Sequence, residues 1–367
     1  MGYRGQMRTI RRLLTILFGS VAAVAAVLPP APAGAAIRPD PIVTGLDGAV
    51  SFTWAPGGRI FYGERGTGEI RIFVPRTGRN SLFFRISNVI GTGERGLLGI
   101  EVHPDYPNPP YVYAYVTRDL ASGIENQLVR LRNAGGTGTG FRVLFSFPSL
   151  AGNHNGGRIL FGPDGWLYAV VGDGANPSLS QTKSRVQGKV LRLRPNGLGA
   201  PGNPFGNRVW AYGIRNSFGL AFDPQTRRLW ETEAGPTCND ELNRIVRGGN
   251  FAWGPSQDCS TGSPPQNTNR DGPNRIMPKR VYNPVVTPTG VVFCQRCRLG
   301  SANGGAMFVG ASNTGQLRRV RLGPARLNVR SQRVVYDHGG PILSMERGSA
   351  GRLYFTDGSA IYRLILT

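Results

Sequence analysis

Three histidines and three lysines are all that this 367-residue chain contains of those two residue types. The scarcity of lysine means that almost all of its basic charge, 43 Lys+Arg against 21 Asp+Glu for a formal net charge of +22, is carried by arginine. Those arginines are dispersed and form no basic block. They read as a solvated, arginine-rich surface, and nothing resembles a nucleic-acid-binding arm. Only His103, His154 and His338 could supply a base titrating near neutral pH. Cysteine is limited to Cys238, Cys259, Cys294 and Cys297. A four-cysteine zinc site wants two Cys-x-x-Cys pairs and there is one, and no thioredoxin-like βαβ pattern surrounds it. Beyond the first 36 residues no apolar run is long enough to span a bilayer. A sustained apolar period of 3.6 residues is also missing, which excludes a helical bundle.

What is present points outside the cytoplasm. Arg4, Arg8, Arg11 and Arg12 precede an apolar stretch at 13–28, a Pro-rich break and Ala33-Gly34-Ala35. This is the layout of an export signal over 1–36, giving a secreted or periplasmic mature chain over 37–367 with no membrane span. Disulfides are the default there. Three pairings are open; Cys238 with Cys259 would close a loop, and Cys294 with Cys297 a small local ring.

The 53 glycines and 28 prolines mean many turns and few long helices. A unit of apolar strand, Pro/Asp/Gly turn and aromatic-containing strand recurs. Its copies are Phe52 to Tyr62, Ile100 to Val116, Ile159 to Val171, Leu220 to Trp230, Gly305 to Leu322 and Leu343 to Phe355. Six irregular copies predict an all-β, six-bladed β-propeller in one domain. The final strand from Ala360 to Leu366 is placed to pair with the N-terminal side and close the ring. The Gly/Pro/Asn-rich stretch at 254–278 reads as a surface excursion.

The third copy concentrates the chemistry. Gly152-Asn153-His154-Asn155-Gly156-Gly157-Arg158 leads into its first strand, and Gly172-Asp173 follows its second. A lone histidine and an aspartate therefore stand at the same end of one hairpin, as a base and its carboxylate partner would.

Several segments carry a family likeness in combination. They are Glu94-Arg95-Gly96-Leu97-Leu98-Gly99 with His103-Pro104-Asp105, His154 to Asp173, and Tyr212-Gly213-Ile214-Arg215-Asn216-Ser217-Phe218-Gly219. Glu233-Ala234-Gly235-Pro236, Asp240-Glu241-Leu242-Asn243 and Gly248 to Gly254 complete the set. In this ordered set the chain resembles the glucose/sorbosone dehydrogenase family, which includes the soluble quinoprotein glucose dehydrogenases and aldose sugar dehydrogenases. The resemblance implies pyrroloquinoline quinone and calcium on one face of the propeller. It also implies hydride transfer from a sugar C1 to the quinone and an external electron acceptor. It makes His154 the base, Asp173 its orienting carboxylate, and Arg215, Asn216 and Glu94 the residues beside the quinone. Gly235 and Pro236 become carbonyl ligands of calcium, with Asp240 and Glu241 as nearby carboxylates.

Three departures stand out. Glu94 replaces the family's glutamine. The family's Arg-x-Arg-Asp near the C-terminus is here Pro341-Ile342-Leu343-Ser344, and a family lysine falls at Ser312-Asn313. A cofactor with three carboxylates thereby loses charge-assisted partners. Two other readings stay open: a calcium-stabilised propeller that binds a glycan or protein partner without catalysis, and a calcium-dependent lactonase.

Overall fold

The computed structural model describes Met1, Gly2 and residues 36–367, and the fold is that of 36–367. The export signal expected over 1–36 lies, apart from Met1, Gly2 and Ala36, outside the described residues. The strands come in antiparallel meanders. The first is β1 (Ile37–Ala55), β2 (Arg59–Glu64), β3 (Glu69–Val74) and β4 (Arg79–Arg85). The second is β5 (Leu97–Val102), β6 (Tyr111–Leu120), β7 (Gly123–Ala134) and β8 (Thr137–Pro148). The third is β9 (Ile159–Phe161), β10 (Leu167–Val171), β11 (Lys189–Leu193) and β12 (Val209–Tyr212), with the short helix α1 (Pro177–Gln181) in its β10–β11 connection. The fourth is β13 (Ser217–Phe222), β14 (Leu229–Glu233), β15 (Asp240–Ile245) and β16 (Arg280–Tyr282). The fifth is β17 (Pro288–Phe293), β18 (Met307–Ala311), β19 (Gln316–Leu322) and β20 (Val329–Asp337). Last come β21 (Ser344–Arg347), β22 (Leu353–Thr356) and β23 (Gly358–Leu366), which join the far edge of β1.

β1 serves two neighbours. Its first half pairs with β23 from Ile37↔Leu366 to Thr44↔Ala360, and its second half pairs with β2 from Ala49 to Ala55. An Arg363–Asp40 ion pair adds to the first seam. The expected union of the last strand with the N-terminal side is therefore present. The leading strands also touch in sequence: β1 on β5, β5 on β9, β9 on β13, β13 on β17, β17 on β21, and β21 on β1. The contact order is cyclic, so no leading strand is left at an end.

Stacked sheets explain the apolar runs. Every residue of β10 is buried. Leu167, Ala169 and Val171 enter a core shared with Tyr113, Tyr115 and Leu128 of the second sheet. Tyr168 and Val170 enter another shared with Leu220, Leu229 and Ile245 of the fourth. Side chains alternate across a strand, so a sheet packed on both faces needs apolar residues at consecutive positions. The turn between β9 and β10 is closed by Gly165 N–H donating to Gly162 O at 2.9 Å and by Asp164 accepting from Trp166 N.

The fifth repeat of the sequence pattern lies one strand out of phase with its sheet. The Met307 and Leu317 segments are the second and third strands, and the leading strand is Pro-Thr-Gly-Val-Val-Phe at 288–293. A proline and a glycine hide that strand from the pattern. The two disulfides join Cys238 to Cys259 and Cys294 to Cys297. The first anchors the 254–278 excursion, which carries no strand or helix.

Near the leading strands, Arg158, which precedes β9, approaches Glu346 of β21 at 3.8 Å. Burial pushes the Glu346 carboxyl up to about 8 and that of Glu101 up to about 7, each only partly offset by Arg158. An acid whose folded pKa is raised stabilises the fold below its unfolded pKa and loses that contribution as pH rises through the folded value. Glu346→Gln should therefore match wild type in urea denaturation at pH 5 and exceed it at pH 9; an equal difference at both pH values would contradict this account.

Candidate active site

The loop between β8 and β9 sets His154 in the left-handed region, at φ +57°. A non-glycine residue there costs about 1–3 kcal/mol and persists only when its surroundings hold it. Here the surroundings are tight. A Cβ on Gly172 would sit 2.2 Å from His154 O, so only glycine lets β10 end this close to the loop. Gly174 N donates to His154 O at 3.1 Å, and His154 N donates to Glu94 Oε2 at 2.7 Å.

The imidazole is fixed by Asp173. Nδ1 lies 2.7 Å from Asp173 Oδ1, and that carboxylate is 0% exposed. Asp173 also accepts from Ala175 N at 2.8 Å and from Trp253 Nε1 at 2.8 Å. An ionised carboxylate can only accept, which assigns the proton of the neutral ring to Nδ1 and leaves Nε2 basic. Nε2 has no hydrogen-bond partner within the described residues. Behind Asp173, the buried Lys189 donates from Nζ to the carbonyls of Leu179, Ser180 and Gln187 at 2.6–2.9 Å, tying down the β10–β11 connection.

Arg215 and Asn216, on the turn between β12 and β13, arrive at the same place. Arg215 O accepts from Asp173 N at 2.7 Å, and its guanidinium carbon sits 5.4 Å from the Trp253 ring centroid. Arg215 Nη1 donates to Ala234 O at 2.8 Å, and its backbone N to Glu233 Oε1 at 2.5 Å. Asn216 Nδ2 donates to the Glu94 Oε2 that also holds His154, at 2.9 Å. Arg215 Nε and Asn216 Oδ1 are buried with no partner. His154, Asp173, Arg215, Asn216 and Glu94 thus form one hydrogen-bonded constellation from four connections between strands. Glu94 lines a cavity of about 320 Å³ that also meets Arg65, Arg158, Phe218, Ser312 and Leu343.

The Gly235–Pro236 turn stands next to Ala234. Neither carbonyl oxygen accepts a hydrogen bond among the described residues. Asp240 is fully engaged: Oδ1 takes Gly235 N at 2.7 Å, and Oδ2 takes Val286 N and Thr287 N at 2.5 and 2.6 Å. Glu241 accepts from Asn243 Nδ2 at 2.8 Å, and burial pushes its carboxyl up to about 7. Asp240 therefore shapes the turn, while Glu241 is engaged by Asn243. Among the described residues no three His, Cys, Asp or Glu side chains converge in metal-ligating geometry. Free carbonyl oxygens are the donor type that a hard cation takes.

The other histidines are structural. His103 Nδ1 accepts from Asp105 N at 3.2 Å, and His338 bridges Tyr336 and Asp357 at 3.1 Å each. Sequence reasoning missed Trp253, Lys189, Glu233 and the cavity arginines. Trp253 was within reach, since it sits in a quoted motif, but nothing in the sequence ties it to a residue 80 positions away.

The family profile for Glucose / Sorbosone dehydrogenase matches residues 46–365. The chain belongs to this family. It is 32% identical over 246 residues to quinoprotein glucose dehydrogenase B of Acinetobacter calcoaceticus, covering 58% of this chain but only 51% of that relative. Among solved structures, an oxidoreductase (glucose dehydrogenase) from Thermus thermophilus is 34% identical with a TM-score of 0.78, covering 90% of this chain and all of that one. The PQQ-bound aldose sugar dehydrogenase of Streptomyces coelicolor is 28% identical with a TM-score of 0.76, covering 92% and 99%.

Trp253→Phe removes the N–H that Asp173 Oδ2 accepts together with one of the two fused rings. A buried charged acceptor left unpaired costs about 1.5–3 kcal/mol, so urea denaturation should show a loss of at least that size; a loss below about 0.5 kcal/mol would mean that water or another donor satisfies the carboxylate.

Proposed function

We propose that this chain is an exported, six-bladed β-propeller sugar dehydrogenase of the quinoprotein type. It would oxidise an aldose at C1 and pass the electrons to an external acceptor. The observation that carries this reading is the His154–Asp173 pair, joined through Glu94 to Asn216 and through Trp253 to Arg215. The family relatives named for glucose and aldose oxidation, and the quinone-bound one among them, support it.

The residues suit the quinone. Arg215 Nε and Asn216 Oδ1 are buried polar atoms without a partner, and Asn216 bonds the Glu94 that lines a cavity of about 320 Å³ with room for a ligand of that class. Arg215, Asn216 and Glu94 would hold it, and the Gly235 and Pro236 carbonyls would hold calcium. Pyrroloquinoline quinone, when bound, supplies an electrophilic carbonyl that accepts a hydride.

The chain's own part is proton and charge handling. A hydroxyl at the substrate C1 can give its proton to His154 Nε2, since Nδ1 is already committed to Asp173. The fixed carboxylate stabilises the imidazolium that results. Such a positioned base contributes about 10²–10⁴-fold. The Arg215 guanidinium favours negative charge developing next to it. Trp253 keeps both the carboxylate and the guanidinium from drifting.

Leu343 and Ser312 in the cavity lining favour a second reading, a propeller that keeps the calcium turn but takes no quinone. A titration decides. Purified protein with calcium should take up the quinone in calorimetry and then reduce an artificial acceptor when given aldoses. His154→Ala should cut turnover by about 10²-fold or more and leave quinone uptake within a few-fold. No uptake at saturating calcium would establish the second reading.

A further inference from the structure

The positions at which the family would carry cations, Leu343 and Ser312, both line the 320 Å³ cavity, and neither is charged. Two other guanidinium groups reach the same cavity from distant parts of the chain: Arg65 from the β2–β3 turn and Arg158 from the loop leading into β9. We propose that Arg65 and Arg158 are the anion-recognising side chains of this cavity, taking carboxylate groups of a planar polycarboxylate quinone. The proposal rests on the quinone reading above.

Both arginines are fixed before any ligand arrives. Arg65 Nη1 donates to the carbonyls of Gly91, Gly93 and Arg95 at 2.9, 2.7 and 3.1 Å. None of the ion pairs among the described residues includes it, so its charge has no carboxylate partner. Arg158 is 7% exposed; Nε donates to Phe218 O and Nη1 to Ser51 Oγ, both at 3.2 Å. Its one ion-pair partner among the described residues is Glu346, 3.8 Å away, and Glu101 is a second acid near enough to feel its charge. Glu346 and Glu101 line a different cavity, of about 230 Å³, and burial pushes both carboxyls up. Near neutral pH they offset Arg158 only in part.

A guanidinium held by backbone carbonyls loses little further freedom on binding, and its planar donor array matches a carboxylate. Glu94 is the one acid in the lining, and its Oε2 already accepts from His154 and Asn216. The cavity therefore holds two cations against one anion. That imbalance favours an acidic ligand over its neutral analogue.

The test is an equilibrium titration of the calcium-loaded protein, followed by tryptophan fluorescence. Pyrroloquinoline quinone is compared with its trimethyl ester, which keeps the ring and removes the negative charges. Wild type should bind the acid at least about tenfold more tightly than the ester. Arg65→Gln should weaken binding of the acid by about tenfold and leave the ester unchanged. Arg158→Gln should do the same; if that buried change prevents folding, Arg65→Gln and the ester carry the test without it. Equal binding of acid and ester by wild type would overturn the proposal, as would an Arg65→Gln protein that binds the acid like wild type. Either result leaves the sugar dehydrogenase reading standing. A wild-type protein that binds neither ligand overturns both.

Discussion

A single carboxylate without access to water holds the candidate site together. Asp173 accepts from the imidazole of one loop, the indole of another and the backbone of its own turn. Its amide is tied to Arg215 on the β12–β13 turn. Burying such a group is costly unless each lone pair has a donor. The same bonds that offset its burial also fix where the base, the tryptophan and the arginine stand. The strained backbone of His154 follows from this, because the loop must bend sharply to bring Nδ1 within 2.7 Å of a carboxylate at the end of β10.

Much of the fold was legible because stacked β-sheets write a local signal. Each hairpin needs its turn residues, and each doubly covered strand needs consecutive apolar residues, as β10 shows. The leading strand of the fifth sheet escapes that signal, because Pro288, Thr289 and Gly290 break the apolar run; Gly290 lies so close to Met345 that a Cβ would reach 2.6 Å from its side chain. There the local composition answers to the packing of β21 against β17, which the strand's own sequence does not display.

The site was legible where its members share a hairpin and hidden where the ring brings them together. His154 and Asp173 flank one repeat, so their partnership could be read. Trp253 acts on Asp173 from another connection, Lys189 ties down the connection that carries it, and neither residue type suggests the role. Arg65 is the extreme case. Its bonds to the carbonyls of Gly91, Gly93 and Arg95 put the β2–β3 turn beside the loop carrying Glu94, a relation without any counterpart in spacing. Asp240 shows the converse: its position in the motif implied a ligand, while its surroundings give it three backbone N–H groups to satisfy.

Charge balance explains how so arginine-rich a site can stay cationic. Glu233 and Glu241 face each other in register across β14 and β15, with Glu231 two residues along the strand. Like charges at facing positions repel, and burial penalises each further. All three carboxyls are pushed upward, Glu231 to about 8 and Glu233 well above the ordinary carboxylate range. Near neutral pH such acids hold protons rather than full negative charge. Glu233 then holds Arg215 through its backbone N–H without quenching the guanidinium. Glu346, 3.8 Å from the Arg158 guanidinium, is likewise pushed upward, to about 8. Acids that would offset these arginines more fully are held partly protonated near neutral pH, and Arg158 carries its charge into the cavity that it shares with Glu94.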